Sequence, residues 1–331
     1  MNIAINGFGR IGRTFIKLAL KKGLNVLVIN DLADPATLAH LLKYDSVHGP
    51  ISETISHDTN HIYISHHKVL VLAEKDPSAL PWKELKIDVV LESTGKFTTR
   101  IGAQKHLNAG AKQVILSAPS ADKDIPTVVM GVNDSEVNFQ ESILSNASCT
   151  TNNVAPLIKL LDKYWGIEDG YITTVHSMTG DQNLHDAPHK DLRRARAASS
   201  SIIPTSTGAA KAITTIFPHL VGRLGGAGIR VPVLNGSLTD FTCTLRQKPT
   251  ISEINEIFNK HASTDMQSIL LYTEDPIVSV DILNSPYSCV FDAGLTSIVG
   301  ELVKVVGWYD NESGYSNRLV DLLIKIKTNY G

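Results

Sequence analysis

Residues 1 to about 148 alternate between short apolar runs and stretches with helical spacing. The run at 2–6 predicts a strand that stops at Gly7, and apolar residues from Ile11 recur at helical spacing until Gly23. Further strands are predicted at 25–31, 62–65, 69–72, 87–92 and 113–117, with helices at 35–43 and 101–109. A strand, turn, helix and strand within about thirty residues form a right-handed parallel βαβ unit. We therefore predict a doubly wound parallel sheet in this α/β half.

The second half has a different pattern. One helix is predicted at 154–165, and long alternating runs predict strands at 171–179, 237–246 and 303–308. A final helix is predicted at 319–327. This half is therefore predicted to be α+β with a mostly antiparallel sheet.

Composition excludes several classes of protein. The 331 residues are 43% apolar and 19% charged, and 31 Lys and Arg against 33 Asp and Glu give a net charge of −2. Such a chain is not typical of a disordered protein or of a nucleic-acid-binding one. No apolar run reaches the roughly 18 residues of a membrane span, and the first residues do not resemble a secretory signal. We expect no membrane association.

Cysteine and histidine usage argues against a metal centre. The three cysteines, Cys149, Cys243 and Cys289, are too scattered for a disulfide framework or a zinc cluster, which suits a reducing cytoplasm. Four histidines between 57 and 67 are interpreted as part of a solvated edge strand. No metal site is predicted.

The glycine-rich turn after the first strand indicates a dinucleotide site. Gly7, Gly9 and Gly12 match G-x-G-x-x-G between a strand and a helix, as in a Rossmann domain, where backbone N–H groups meet a pyrophosphate. Asp31 follows the second strand, where its carboxylate can bind the adenosine ribose. A phosphate on that ribose would be repelled by about 4 kcal/mol at about 4 Å, so NAD is favoured over NADP. Asp31 could also cap the next helix.

Cys149 is the candidate nucleophile. It is flanked by Ser, Thr and Asn directly before the helix predicted from Val154, and a helix N-terminus favours the thiolate. We therefore expect its pKa to lie below the ordinary value of about 8.5. The alternative, a small core residue, stays open at this point. His176 is the candidate base, although the strand pattern does not show which way it faces.

Several long motifs resemble phosphorylating glyceraldehyde-3-phosphate dehydrogenases of the bacterial, glycolytic type. They extend over the whole chain: Ile5–Arg13 (INGFGRIGR), Lys43–Gly49 (KYDSVHG), Ser148–Asn152 (SCTTN), Ser206–Lys211 (STGAAK), Arg230–Pro232 (RVP) and Trp308–Arg318 (WYDNESGYSNR). The resemblance implies that the thiol of Cys149 attacks the aldehyde of D-glyceraldehyde 3-phosphate while His176 acts as base. Oxidation by NAD then gives a thioester, and inorganic phosphate releases 1,3-bisphosphoglycerate.

The resemblance also implies two anion sites and a set of cofactor contacts. One phosphate site would use Ser148, Thr150, Thr207 and Gly208; the other would use Thr179 and Arg230. One arginine of the S-loop, the segment that includes His189–Arg196, would assist in phosphate binding; the candidates are Arg193, Arg194 and Arg196. NAD would be bound by Gly7, Gly9, Arg10, Ile11, Gly12, Asp31, Lys75, Ser117 and Asn311, the last holding the nicotinamide carboxamide.

Domain organisation and partners follow from the same resemblance. It implies an NAD-binding Rossmann domain at 1–148 completed by a C-terminal helix at 314–331, a catalytic domain with the S-loop at 149–313, and a cytoplasmic homotetramer. Erythrose-4-phosphate dehydrogenase is the nearest alternative, but this chain keeps the 206–210 segment from which that enzyme departs. A semialdehyde dehydrogenase would lack the site of Thr179 and Arg230. A binding protein without turnover is disfavoured by the intact Cys149 and His176.

Overall fold

The computed structural model describes residues 1–329 and divides the chain into two compact units. Unit 1 comprises Met1–Val128, Glu136–Ala147 and the chain from Ser316 onward, and unit 2 comprises Val129–Ser135 and Ser148–Tyr315. Of the helix expected at 314–331, residues 330 and 331 lie outside the described part of the chain.

Unit 1 contains an eight-stranded sheet and three helices that follow its strands. The strands are β1 (Asn2–Asn6), β2 (Asn25–Asn30), β3 (Ile55–His57), β4 (His61–Ile64), β5 (His67–Leu72), β6 (Val89–Glu92), β7 (Gln113–Leu116) and β8 (Ile143–Ser145). The helices are α1 (Arg10–Lys21), α2 (Pro35–Lys43) and α3 (Arg100–Asn108). The strand order is β3-β4-β5-β2-β1-β6-β7-β8, parallel except for the antiparallel edge formed by β3, β4 and β5.

Apolar residues bury the sheet of unit 1, and local capping determines where its helices begin. The indole of Trp82 is fully buried in a cluster that includes Ala4, Val28 and Val90. Helix α2 begins at Pro35 because the carboxylate of Asp34 accepts a hydrogen bond from a backbone N–H of the first turn and proline suits the first helical position. Because β1, β2, β6 and β7 pair in parallel, their carboxyl ends lie along one edge of the sheet.

Unit 2 contains the second sheet. Its strands are β9 (Ile167–Ser177), β10 (Ile203–Thr205), β11 (Leu224–Val231), β12 (Ser237–Leu245), β13 (Leu270–Thr273), β14 (Cys289–Asp292), β15 (Ser297–Val299) and β16 (Leu302–Tyr309). The helices are α4 (Cys149–Trp165), α5 (Ala209–Ile216) and α6 (Ile251–Ala262). The last helix of the chain, α7 (Ser313–Asn329), belongs to unit 1 from Ser316 onward. The order β10-β11-β9-β12-β16-β14-β13 is mostly antiparallel, with parallel pairs at β9–β11 and β13–β14.

These two sheets confirm the predicted fold class. Strand β9 lies between β11 and β12, and α4 packs on β9, β12 and β16. Stacked rings of Phe258 on α6 and Phe291 on β14, with centroids 4.0 Å apart, fill the core between these two elements. Within residues 1–329, no helix combines the length and apolar character needed to cross a membrane.

Candidate active site

Cys149 is the first residue of α4. The hydroxyl of Ser148 caps this helix by accepting a hydrogen bond from the backbone N–H of Thr151 at 3.1 Å. The prediction that the helix begins near Val154 was wrong, because its first turn is polar. Those polar groups find buried partners: the hydroxyl of Thr150 lies 2.9 Å from that of Tyr309. The thiol therefore belongs to the helix N-terminus itself.

His176 faces Cys149. The imidazole Nε2 lies 3.5 Å from Sγ, and the histidine side chain is only 5% exposed near the end of β9. Its Nδ1 lies 2.7 Å from the carbonyl oxygen of Ser177. Acceptance of the thiol proton at Nε2 requires the tautomer that carries its proton on Nδ1, where the Ser177 carbonyl is an acceptor. The ring of Tyr309 meets the imidazole edge to face at 5.9 Å between centroids.

Arg230 sets the electrostatics of this pair. It lies opposite His176 across the parallel pair of β9 and β11, and its Nη1 is 2.6 Å from the imidazole Nδ1. Burial and the positive charge of Arg230 lower the pKa of His176 to about 3, so the ring is neutral at physiological pH.

The expectation of a lowered pKa for Cys149 was wrong. The residue is half-buried, and burial raises the pKa of its thiol above the ordinary value. The charge of Arg230 and the backbone N–H of Thr150 oppose that rise without overcoming it. A neutral thiol beside a neutral imidazole favours proton transfer during attack over a preformed ion pair.

Thr179 and an S-loop arginine meet at one carboxylate. The hydroxyl of Thr179 donates to Asp181, and Arg194 forms an ion pair with the same aspartate. The Arg194 Nε also donates to the hydroxyl of Thr205 at 3.0 Å, on the strand that precedes the 206–208 segment. Arg230 adds to this cluster electrostatically, since its charge lowers the pKa of Asp181 against the opposing effect of burial.

The other proposed phosphate ligands lie at helix starts. Gly208 is the N-cap of α5, where a β-carbon would meet nothing within 4 Å, and the hydroxyl of Thr207 accepts from the Ala209 N–H at 3.2 Å. Thr207 and Gly208 thus precede α5 as Ser148 precedes α4, and the two helices pack together. Helix N-termini attract anions.

The glycine turn of unit 1 has the shape that a dinucleotide requires. Gly7 has φ +96°, and a β-carbon there would lie 2.7 Å from the backbone nitrogen of Thr94. A β-carbon on Gly12 would lie 2.4 Å from the carbonyl oxygen of Gly7, whereas one on Gly9 would meet nothing within 4 Å. The turn is therefore closely packed at Gly7 and Gly12 and open at Gly9, directly before the start of α1. An open position at a helix start leaves room for a pyrophosphate.

The remaining cofactor candidates of unit 1 follow strands of the same sheet. The carboxylate of Asp31 accepts from the backbone N–H groups of Phe8 at 2.7 Å and Ala33 at 3.1 Å, which ties it to the glycine turn. Ser117 directly follows β7, and Lys75 is exposed beyond β5. The guanidinium of Arg10, by contrast, pairs with the buried Asp45 at 2.9 Å.

Asn311 lies in a buried polar cluster of unit 2. The hydroxyls of Ser177 and Ser237 both donate to its Oδ1, at 2.8 and 3.1 Å. With Oδ1 held in this way, Nδ2 is the donor that the side chain offers to a ligand. Ser177 directly follows His176, so this amide belongs to the same region of unit 2.

Sequence reasoning missed two residues of the site. Asp181 joins Thr179 to Arg194, and Tyr309 bridges the hydroxyls of Thr150 and Thr174 at 2.9 Å each. An acidic residue two positions after a candidate phosphate ligand could have identified Asp181. Nothing in the alternating pattern of β16 distinguishes Tyr309 from a core residue.

Among residues 1–329, no three or more His, Cys, Asp or Glu side chains are placed to hold a metal ion together. The histidines near 57–67 instead lie on β3 to β5 or in their turns, where His61 pairs with Asp58.

Comparisons with known proteins place the chain in a family. Residues 1–100 match the glyceraldehyde 3-phosphate dehydrogenase NAD binding domain, and residues 148–311 match the C-terminal domain of the same enzyme. The chain is 52% identical to glyceraldehyde-3-phosphate dehydrogenase 1 of Streptomyces avermitilis over 98% of both chains. It is 51% identical to the glyceraldehyde-3-phosphate dehydrogenase of Mycobacterium tuberculosis over 98% of this chain and 97% of that one. NAD is thus the cofactor, and the chain belongs to the glyceraldehyde-3-phosphate dehydrogenase family.

Proposed function

We propose that this chain oxidises D-glyceraldehyde 3-phosphate with NAD and inorganic phosphate to 1,3-bisphosphoglycerate. The observation that carries the proposal is the 3.5 Å contact between the Cys149 thiol and the neutral, buried imidazole of His176, in a chain of this family. Erythrose-4-phosphate dehydrogenase, the alternative, is not favoured, since the relatives compared are glyceraldehyde-3-phosphate dehydrogenases.

Cys149 and His176 perform the covalent steps. Sγ forms a bond to the aldehyde carbon while its proton passes to Nε2 of His176, which returns it to the carbonyl oxygen and gives a thiohemiacetal. His176 then takes the hydroxyl proton as the carbon is oxidised to a thioester. Bound NAD supplies the two-electron oxidant for that step. A phosphate oxygen finally attacks the thioester carbon, and the C–S bond breaks to release the acyl phosphate.

Two anion sites bind the phosphates in this proposal. Thr179 and Arg230 hold the phosphate of the substrate, while Ser148, Thr150, Thr207 and Gly208 hold the attacking phosphate. Arg194 is the S-loop arginine that we assign to the second site, because it binds Thr205 beside the 206–208 segment, whereas Arg196 pairs with Asp186. The hydroxyls of Ser148 and Thr150 must turn from their internal partners to reach a phosphate.

Most of the proposed NAD ligands lie in unit 1. In unit 1, Gly7, Gly9, Ile11 and Gly12 bind the pyrophosphate through the backbone, Asp31 binds the adenosine ribose, and Lys75 and Ser117 contribute from neighbouring strand ends. Arg10 contributes its backbone N–H, since its guanidinium pairs with Asp45. In unit 2, Asn311 donates Nδ2 to the nicotinamide carboxamide. In this proposal the cofactor domain is residues 1–148 with the helix from 314, and the catalytic domain is residues 149–313. The two compact units differ from these bounds, because Val129–Ser135, Ser148 and residues 314–315 belong to unit 2.

We assign the chain to a cytoplasmic homotetramer. Large apolar side chains are exposed in the segment between β9 and β10, among them Leu184 (63%), Leu192 (80%) and Ile202 (71%). Exposed apolar patches of this kind mark interaction surfaces. Sedimentation of the purified protein tests the assignment: a mass of four chains supports it, and a monomer contradicts it.

Trapping of the acyl-enzyme tests the proposed chemistry. Substrate and NAD without phosphate should add one 3-phosphoglyceroyl group per chain, located at Cys149 by mass spectrometry of peptides. Added phosphate should discharge it. Cys149→Ser, which is similar in size, should carry none and have no activity. Acylation at another residue would contradict the mechanism.

A further inference from the structure

A row of buried polar side chains crosses the sheet of unit 1 at the carboxyl ends of its central strands. Asn6 of β1 is paired in register with Asn30 of β2 on one side and with Glu92 of β6 on the other. Their exposed fractions are 1%, 4% and 1%. Buried polar groups are costly unless they are bonded, so their partners indicate what the row does.

The row is a continuous chain of hydrogen bonds. Nδ2 of Asn30 donates to Oδ1 of Asn6 at 2.7 Å, and Nδ2 of Asn6 donates to Oε2 of Glu92 at 2.6 Å. His106 of α3 extends the chain, since its Nε2 lies 3.1 Å from the same carboxylate oxygen. Trp82 donates to Nδ1 of His106 at 3.0 Å, which places the imidazole proton on Nε2. His106 is therefore a donor to Glu92.

Two members of this chain of hydrogen bonds, Glu92 and Asn30, each fix a segment that follows a strand. The second carboxylate oxygen of Glu92 accepts from the N–H and the hydroxyl of Thr94. The same Thr94 nitrogen is the atom closest to a β-carbon placed on Gly7. Asn30 accepts from the N–H of Glu74 at 2.8 Å and donates to the Glu74 carbonyl at 2.9 Å.

These fixed segments carry the proposed cofactor ligands. Asn6 directly precedes the glycine turn, Asn30 precedes Asp31, and Glu74 precedes Lys75. This buried chain of hydrogen bonds thus fixes two groups relative to each other: the backbone proposed to bind the pyrophosphate, and the Asp31 carboxylate proposed to bind the ribose.

We propose that Glu92 and His106 are positioning residues for the dinucleotide, which act through Asn6, Asn30 and Thr94 without touching it. The proposal rests on NAD binding by unit 1. It explains why a fully buried carboxylate and imidazole lie beneath a site whose direct ligands are backbone groups and Asp31. Preorganisation of this kind contributes to affinity because the bound geometry need not be assembled on binding.

Glu92→Gln tests the proposal with almost no change of volume. The carboxylate accepts on both oxygens, whereas a glutamine amide accepts on only one and turns N–H groups toward donors on the other side. We expect the Kd for NAD, measured by calorimetry without substrate, to rise roughly tenfold, or about 1.4 kcal/mol. The KM for NAD should rise in parallel, while kcat at saturating NAD stays within about twofold of wild type.

Gln113→Leu is the matched structural control. Gln113 is also fully buried in this sheet, but at the amino end of β7, where its Nε2 donates to the carbonyls of Phe139 and Glu141 at 2.9 and 2.7 Å. It should lower the Tm and leave the Kd for NAD unchanged. A wild-type Kd in Glu92→Gln, or an equal rise in Gln113→Leu, would overturn the proposal.

Trp82→Phe is a second variant, which keeps an aromatic ring in the cluster and removes the donor that sets the His106 tautomer together with part of the buried volume. It should raise the Kd for NAD about threefold, and if Glu92→Gln does not fold, an unchanged Kd here overturns the proposal. Failure of the wild-type protein to bind NAD would instead contradict the proposed function, so the two failures are distinguishable.

Discussion

Replacing Arg230 by glutamine removes the positive charge beside the Cys149–His176 pair. The guanidinium contacts Nδ1 of the imidazole at 2.6 Å, and Nε2 of the same ring contacts Sγ at 3.5 Å. In the native site this charge opposes the effect of burial on the pKa of Cys149. Without it, the thiolate is less populated at any pH below the pKa of the thiol.

The size of the effect follows from the geometry. Only the width of the imidazole ring separates the two contacts, so the charge lies at most about 8 Å from Sγ, which stabilises a thiolate by about 2 kcal/mol at an effective dielectric of about 20. That corresponds to a roughly thirtyfold smaller thiolate population. Burial is the larger cause of the low pKa of His176 and remains in the variant, so the pKa stays below its ordinary value of 6.5 and the ring is neutral at pH 8.

Alkylation by iodoacetamide measures this population, because the reagent is neutral and Cys243 and Cys289 are buried. The rate for the native protein should rise with pH, since burial raises the pKa of Cys149. Arg230→Gln should react about thirtyfold more slowly at pH 8, and Arg230→Lys, which keeps the charge, should recover most of the rate. Equal rates for the native and Arg230→Gln proteins would refute the electrostatic argument.

Three further substitutions test other parts of the site. His176→Asn removes the proton acceptor and should lower kcat by roughly 10²- to 10⁴-fold while the Kd for NAD is unchanged; a kcat near the native value in steady-state assays would exclude His176 as the base. Asp181→Asn removes the carboxylate that joins Thr179 to Arg194, so the KM for glyceraldehyde 3-phosphate should rise roughly tenfold, more than kcat falls. Initial-rate kinetics that show an unchanged KM would contradict this role. Asp31→Ala removes the charge that repels a ribose phosphate, and the ratio of kcat/KM for NAD to that for NADP should fall at least about tenfold; an unchanged ratio would separate Asp31 from cofactor choice.

Elements with strong local signals could be predicted from the sequence. The predicted bounds of β1 and α2 agree with the structure, since a buried apolar run ends in glycine and a capping Asp34 precedes Pro35. Strand β9 begins at Ile167, four residues before the predicted start, because Glu168, Asp169 and Gly170 interrupt the alternating pattern. Asp169 and Gly170 are paired with neighbouring strands all the same, and Glu168 lies at a register shift between β9 and β12.

Properties that arise from packing could not be predicted. The sequence placed Cys149 near a helix start, but the direction of its pKa depends on burial and on Arg230, which is 81 positions away along the chain. The same is true of the contact between Sγ and His176, which requires β9 to pass α4 with one particular face. The row from Asn30 to His106 was equally hidden, because polar residues at strand ends are ordinary in a sequence and gain meaning only through their register.

Formation of NADH from glyceraldehyde 3-phosphate, followed at 340 nm with and without inorganic phosphate, tests the central claim most directly. The account predicts sustained turnover only when phosphate is present, at most one equivalent of NADH per chain when it is absent, and much slower turnover of erythrose 4-phosphate. Sustained turnover without phosphate would contradict the assignment of Thr207, Gly208 and Arg194 to a site for attacking phosphate. Preference for the four-carbon substrate would contradict glyceraldehyde 3-phosphate as the substrate.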